Sequence, residues 1–226
     1  RGLTLVLPIA AGDMYGIKGI DHLAERGLLD RVIAGSYPSG PSSFEPPKIR
    51  KLIAENALGA WNLPSGVILD MLRDAAAKRP GVLTKVGMGT YVDPRLEGGR
   101  MNDAARPDIV RVVEFGGEEW LHFTNFHPHV GIVRGTTADE DGNVSMEHEG
   151  AVLGAVDVAL AVRNSGGVVI AQVKRTTARG SIAPQRVIVP STLVDFVVVD
   201  PQQKQATGIA YDPSLSGAVR RPESSF

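Results

Sequence analysis

The run Lys85-Val-Gly-Met-Gly-Thr-Tyr-Val-Asp-Pro-Arg-Leu-Glu-Gly-Gly-Arg-Met-Asn102 carries four glycines and a proline between an upstream helical pattern and a downstream strand pattern. Glycine permits positive φ and close approach of other atoms to the main chain. Gly87, Gly89 and Thr90 therefore read as a strand end opening into a tight loop with exposed N–H groups. Asp93-Pro94 is one turn signal and Gly98-Gly99 a second. Loops of this composition on a rigid scaffold often carry binding function; the plain alternative is a surface connection with no ligand.

Upstream, Pro64-Ser65-Gly66 leads from an apolar stretch at Ala60–Leu63 into Val67–Lys78, where Val67, Ile68, Met71, Leu72 and Ala75 are helically spaced. Ser65 is placed as an N-cap, its hydroxyl accepting from orphan N–H groups. A helix start at a strand end suits a carboxylate or phosphate, although caps of this type occur at any helix. Pro46 and Pro47 mark another helix start, with Ile49, Leu52 and Ile53 inward. Leu3–Leu7 reads as a buried parallel strand and Arg31–Ala34 as a weak one. Ile20, Leu23 and Ala24 fit a helical face stopped at Gly27. Residues 10–19 and 35–43 read as loops.

Downstream, Ile109–Phe115 and Glu119–Phe123 form a hairpin at Gly116-Gly117. Val130–Thr137 is a strand, and residues 139–143 are a turn whose acids lack calcium-loop spacing. Ala151–Val162 reads as a helix with Ala151, Ala155, Val158, Ala159 and Val162 on one face. Val168–Val173 and Val194–Val199 are continuous apolar strands. The expected class is α/β, a mainly parallel open sheet flanked by helices.

The chain has 226 residues, no cysteine, and a net charge of −1 from 24 basic and 25 acidic side chains. Disulfide and thiolate chemistry are excluded. No global field points to nucleic acid or membrane. No apolar run reaches the ~18 residues that span a bilayer, so the expectation is a cytoplasmic protein. His122, His127 and His129 cluster without ligand geometry, so no metal is expected. Lys174, Arg175, Arg179 and Arg186 could meet phosphates or simply be solvated. Glu147 and Glu149 flank His148; their expected position at a helix start favours dipole complementarity over acid–base work. Walker, dinucleotide, nucleophile-elbow and zincin motifs are absent.

The segment Gly87–Arg95 with Gly98-Gly99 and Asn102 resembles family I coenzyme A-transferases, more narrowly the fused acetate/propionate, or acyl-CoA:acetate/3-ketoacid, type. Asn62-Leu-Pro-Ser-Gly66, Ala138–Asn143, Asn164–Gly167 and Val194–Pro201 agree in order. The resemblance implies an alpha-type domain over 1–211, with its first strand upstream of Arg1, and a linker at 212–226 towards a C-terminal, beta-type half. It implies exchange of CoA between an acyl-CoA and a short-chain carboxylate through a glutamyl-CoA thioester, as in ketone-body and short-chain fatty acid metabolism. The nucleophilic glutamate would lie in the absent half, so none is assigned here and this chain alone would be inactive. CoA is substrate, with no permanent cofactor, and a homo-oligomer is expected. Ser65, Gly66, Gly87, Met88, Gly89 and Thr90 would face the CoA cleft. Relatives often carry Gln where Ser65 stands, which leaves acyl preference open. The rivals are a related-fold sugar-phosphate isomerase or ligand-sensing domain, and a non-catalytic scaffold.

Overall fold

The computed structural model describes residues 2–11, 19–38, 47–205 and 210–225. The chain divides into two compact units, 1–126 and 127–226. Most of the expected loops at 10–19 and 35–43, and Pro46 with them, lie outside the described residues.

In the first unit, β1 (Leu3–Leu7), β2 (Leu29–Ala34) and β3 (Gly59–Asn62) make a parallel sheet in the order β1-β2-β3. Strand side chains alternate between faces, and here the two faces feed two cores. Val32, Ala34 and Ala60 meet Ile49, Leu52 and Ile53 of α1 (Lys48–Ala54). Ile33 and Trp61 meet Val67, Ile68 and Met71 of α2 (Ser65–Ala76). The same core takes Val82, Val110, Leu121 and Phe123 from an antiparallel sheet of β4 (Gly81–Thr84), β5 (Val110–Phe115) and β6 (Glu118–Thr124). Gly116 and Gly117, at φ 64° and 80°, make the two-residue turn between β5 and β6. Positive φ at both positions matches the twist of a hairpin. The expected helix around residue 20 is a short 3-10 turn, Gly19–His22.

The second unit holds β7 (Val130–Arg134), β8 (Thr137–Asp139), β9 (Val144–Ser145), α3 (Ala155–Asn164), β10 (Val168–Val173), β11 (Arg175–Thr177) and β12 (Phe196–Val199). β12-β10-β7 is a parallel sheet, and β11-β8-β9 is mixed. The single strand expected over Val130–Thr137 is therefore two. The chain leaves β10 at Gly135, whose N–H still reaches Gln172 O at 2.9 Å, and Thr136 O then receives the N–H of Lys174 at 2.9 Å. α3 begins four residues later than expected, because Leu153 and Gly154 take positive φ immediately before it. Parallel pairings outnumber antiparallel ones among the described residues. The expected α/β class holds.

Candidate functional site

The site is built where β3 runs out. Pro64 O accepts the N–H of Ile68 at 3.1 Å, the first bond of α2. Pro64 is thus the cap and Ser65 the first helical residue, which corrects the expected capping role of Ser65. No side chain caps this start, so the positive end of the helix dipole is left to whatever lies in front of it. Ser65 Oγ instead lies against Gly35, at 2.2 Å from where a Cβ on that residue would stand. Gly66 has nothing within 4 Å of its own Cβ direction.

The 85–102 loop is tied down beside this junction. Asn62 N–H donates to Gly99 O at 2.8 Å and Met101 N–H to Ala60 O at 2.9 Å, so the end of the loop runs along β3. Asn102 fixes it: its Nδ2 donates to Ile53 O at 2.9 Å and Leu58 O at 2.8 Å, and its Oδ1 accepts from Ala60 N at 3.3 Å. Tyr91 Oη donates to Asn62 Oδ1, while Asn62 Nδ2 donates to Gly35 O at 2.8 Å. Burial raises the Tyr91 phenol above its ordinary pKa, so it stays a donor.

The organising group of the loop is Asp93, buried to 1% exposure. Its carboxylate accepts from Gly89 N at 2.9 Å and from Arg95 N, Nε and Nη2 at 3.0, 3.0 and 2.8 Å. The Arg95 side chain first, then the Gly89 N–H, hold this carboxyl well below the usual range. Arg95 also reaches Glu119 on β6 at 2.8 Å. Met88 N–H and Thr90 N–H donate to Lys85 O and Gly87 O at 3.2 and 3.1 Å. The expectation of exposed N–H groups therefore fails at Gly89 and Thr90. The turn is closed on itself, and Gly89 faces open space. Sequence reasoning took Asp93 for a turn former; its acceptor role needed the fold.

The second unit gathers its polar groups where β7 and β10 end. Glu147 accepts from Ser145 Oγ at 2.6 Å, from Arg175 Nη2 at 2.7 Å and from Thr137 Oγ1. Burial works against its charge, yet these donors prevail and its pKa is lowered. Glu149 pairs with Arg134 at 2.5 Å, and burial raises its pKa. Neither stands at a helix start, which corrects the dipole reading. His148 stacks on Tyr211 with ring centroids 4.0 Å apart, and burial, then Arg175, depresses its pKa. Of the basic stretch, Arg175 pairs with Glu147 and Arg179 with Asp141. Among the described residues no group of acids and histidines could hold a metal ion. His122 lies on β6, its Nδ1 buried without a partner. None of the helices described is long and apolar enough to cross a membrane.

The family model for coenzyme A transferase matches residues 7–200. The chain is 40% identical over 227 residues to caffeate CoA-transferase from Acetobacterium woodii, covering 99% of this chain and 42% of that protein. A crystal structure of the acyl-CoA transferase YdiF from Escherichia coli O157:H7, a thioester complex with CoA, superposes with a TM-score of 0.88 at 36% identity. That superposition covers 98% of this chain and 44% of YdiF. Acetate CoA-transferase subunit alpha of Escherichia coli K12 is 22% identical, over 90% of this chain and 80% of its own length. The chain thus spans less than half the length of its 40%-identical relative and most of the length of the separate alpha subunit.

Proposed function

The chain belongs to the coenzyme A transferase family, and on that premise we propose that it is the alpha-type part of an enzyme that moves CoA from an acyl-CoA to a short-chain carboxylic acid. The observation that carries the proposal is the continuous match over residues 7–200, together with the 0.88 superposition on an enzyme captured as a CoA thioester.

A glutamate carboxylate in the complementary, beta-type half attacks the thioester carbonyl, and CoA leaves as a thiolate. The thiolate then attacks the glutamyl carbonyl of the mixed anhydride, releasing the first acid and leaving the enzyme as a glutamyl-CoA thioester. The incoming carboxylate repeats the sequence in reverse and regenerates the glutamate. The half-buried acids here give no reason to place the nucleophile in this chain. Glu147 and Glu149 already accept from Ser145, Arg175 and Arg134 and serve the scaffold.

This chain contributes one wall. The uncapped start of α2 at Ser65 and Gly66 directs N–H groups at a carboxylate or a developing oxyanion. Gly87, Met88, Gly89 and Thr90 form the closed turn beside it, where Gly89, facing open space, leaves room for the substrate chain. Where relatives carry Gln, the shorter Ser65 lies against Gly35, so either the acyl pocket is roomier or another group makes that contact. The working enzyme joins both halves and assembles as a homo-oligomer. The rival isomerase, sensor and scaffold readings find no support in the family match.

Incubation of the intact protein with an acyl-CoA, followed by intact-mass and peptide mapping, tests the proposal. A CoA adduct on a glutamate outside residues 1–226 is expected. An adduct inside them, or no adduct and no exchange, overturns it.

A further inference from the structure

The sheet β12-β10-β7 has one covered face and one bare face. Gly131, Val133, Val169, Ala171 and Val173 point to α3 and are buried. Their neighbours point the other way. Ile132 is 71% exposed, Phe196 60%, Val130 59% and Val198 50%, with Val168 exposed and Ile170 half-buried. Register makes them one surface: Val130 lies beside Val168, and Ile132, Ile170 and Phe196 stand in one row across the three strands.

Topology explains why this face is open. A parallel sheet is ordinarily covered on both sides by its crossover helices. The β7–β10 connection supplies α3. The β10–β12 connection contains only the 3-10 turns Pro184–Arg186 and Ser191–Leu193 besides β11, and Ile188, Leu193 and Val194 pack into the core beneath α3. Both connections serve the same face.

We infer that the bare face of β12-β10-β7 is the docking surface for the complementary half of the transferase. The inference rests on the family reading above and adds to it where that half is seated. Three observations choose this occupant. The chain accounts for 42% of the length of caffeate CoA-transferase and 44% of YdiF, so in such a protein a body larger than this chain remains to be placed. The face is apolar except where the strands end: Arg134, in register with Gln172, is bound to Glu149, and Gln172 donates to Gln203 at 2.9 Å. That composition suits a permanent interface, which resembles a core cut in two. At the carboxyl ends of the strands the face meets the Arg134–Glu149 pair and the Gln172–Gln203 bond, a polar rim around an apolar centre.

The chain has no cysteine, so Ile132→Cys installs a single addressable thiol. On this chain alone the thiol should react with a maleimide as an exposed group does. Adding the complementary half as a separate polypeptide should slow that reaction at least about tenfold. Ile132→Asp should weaken the complex about thirtyfold or more, the loss expected for a buried anchor, with circular dichroism and the melting midpoint of the free chain unchanged. Phe196→Ser provides the same test should Ile132→Asp misfold. A complex of unaltered affinity with a thiol that stays reactive overturns the surface, and persisting CoA exchange in that mixture would leave the family reading standing. A free chain that dimerises through this face and is split by Ile132→Asp overturns it in favour of a second copy. Absence of CoA exchange in the intact wild-type protein removes the reading beneath it.

Discussion

Tyr91 Oη and Asn62 Oδ1 lie 2.5 Å apart, so the residue that follows the 87–90 turn is bonded to the last residue of β3. This bond makes the turn and the start of α2 neighbours. Tyr91→Phe should leave overall stability within about 1 kcal/mol, the net worth of one hydrogen bond. In the intact enzyme it should lower kcat/KM for acyl-CoA about three- to tenfold. Steady-state kinetics beside a urea melt separate the two effects; an equal fall in both would make Tyr91 merely structural.

Asp93 gathers four donors from Gly89 and Arg95 around one buried carboxylate. Asp93→Asn halves the acceptor capacity and places an amide N–H₂ against donors, so a loss of about 1–3 kcal/mol is expected. Because the folded carboxyl is depressed, its stabilisation is present above the ordinary aspartate pKa of 3.8 and is lost as pH falls below it. The acid limb of the stability curve should therefore be shallower in Asp93→Asn, as read by denaturation midpoints across the acidic range.

Gly35 and Gly66 form a matched pair of tests. A Cβ on Gly35 would stand 2.2 Å from Ser65 Oγ, 2.5 Å from Pro8 O and 2.8 Å from Ile9 O. Two of those atoms are backbone and cannot swing away, so Gly35→Ala should cost about 1–3 kcal/mol. Gly66 has open space and an ordinary φ. Gly66→Ala should keep or raise stability by about 0.5–1 kcal/mol while lowering CoA exchange, because the methyl enters the proposed substrate space. Full exchange by a stable Gly66→Ala enzyme would remove this residue from the cleft.

His148 is held neutral by burial and by the nearby Arg175 and Lys174, with Glu147 opposing them. A histidine depressed on folding stabilises above its ordinary pKa of 6.5, and that contribution is lost as pH falls below it. His122 behaves alike, through burial and Arg111. Thermal midpoints should fall on acidification from about pH 6.5, and His148→Gln with His122→Gln should flatten that slope. A slope unchanged in the double variant would assign it elsewhere.

The strands that read best from sequence were those marked by runs of apolar residues. Leu3–Leu7 and Val168–Val173 are apolar but for Thr4 and Gln172 and stand at those bounds, although Leu3–Leu7, expected to be buried, is exposed to half-buried. α2 was legible because Val67, Ile68, Met71, Leu72 and Ala75 repeat at helical spacing, and all five are buried. Features set by partners distant in sequence were not legible. Asp93 is an acceptor because Gly89 and Arg95 fold round it, and Glu147 is a scaffold acid because Arg175 arrives 28 residues later. Ser65 misled because Pro64 already occupies the cap. The candidate segments stand out as glycine-rich junctions, but a self-closed turn and an open one have the same composition.

Asn102 gives the fold a chemical age. One side-chain amide donates to two carbonyls and accepts one N–H, joining the end of α1, the turn after it and β3. Hydrolysis of that amide to a carboxylate, a spontaneous reaction of stored proteins, would replace the nitrogen with an oxygen facing Ile53 O and Leu58 O. The clasp would become a site of repulsion without any change of shape. The slow chemistry of a single amide thus bears on how long the 85–102 loop keeps its place.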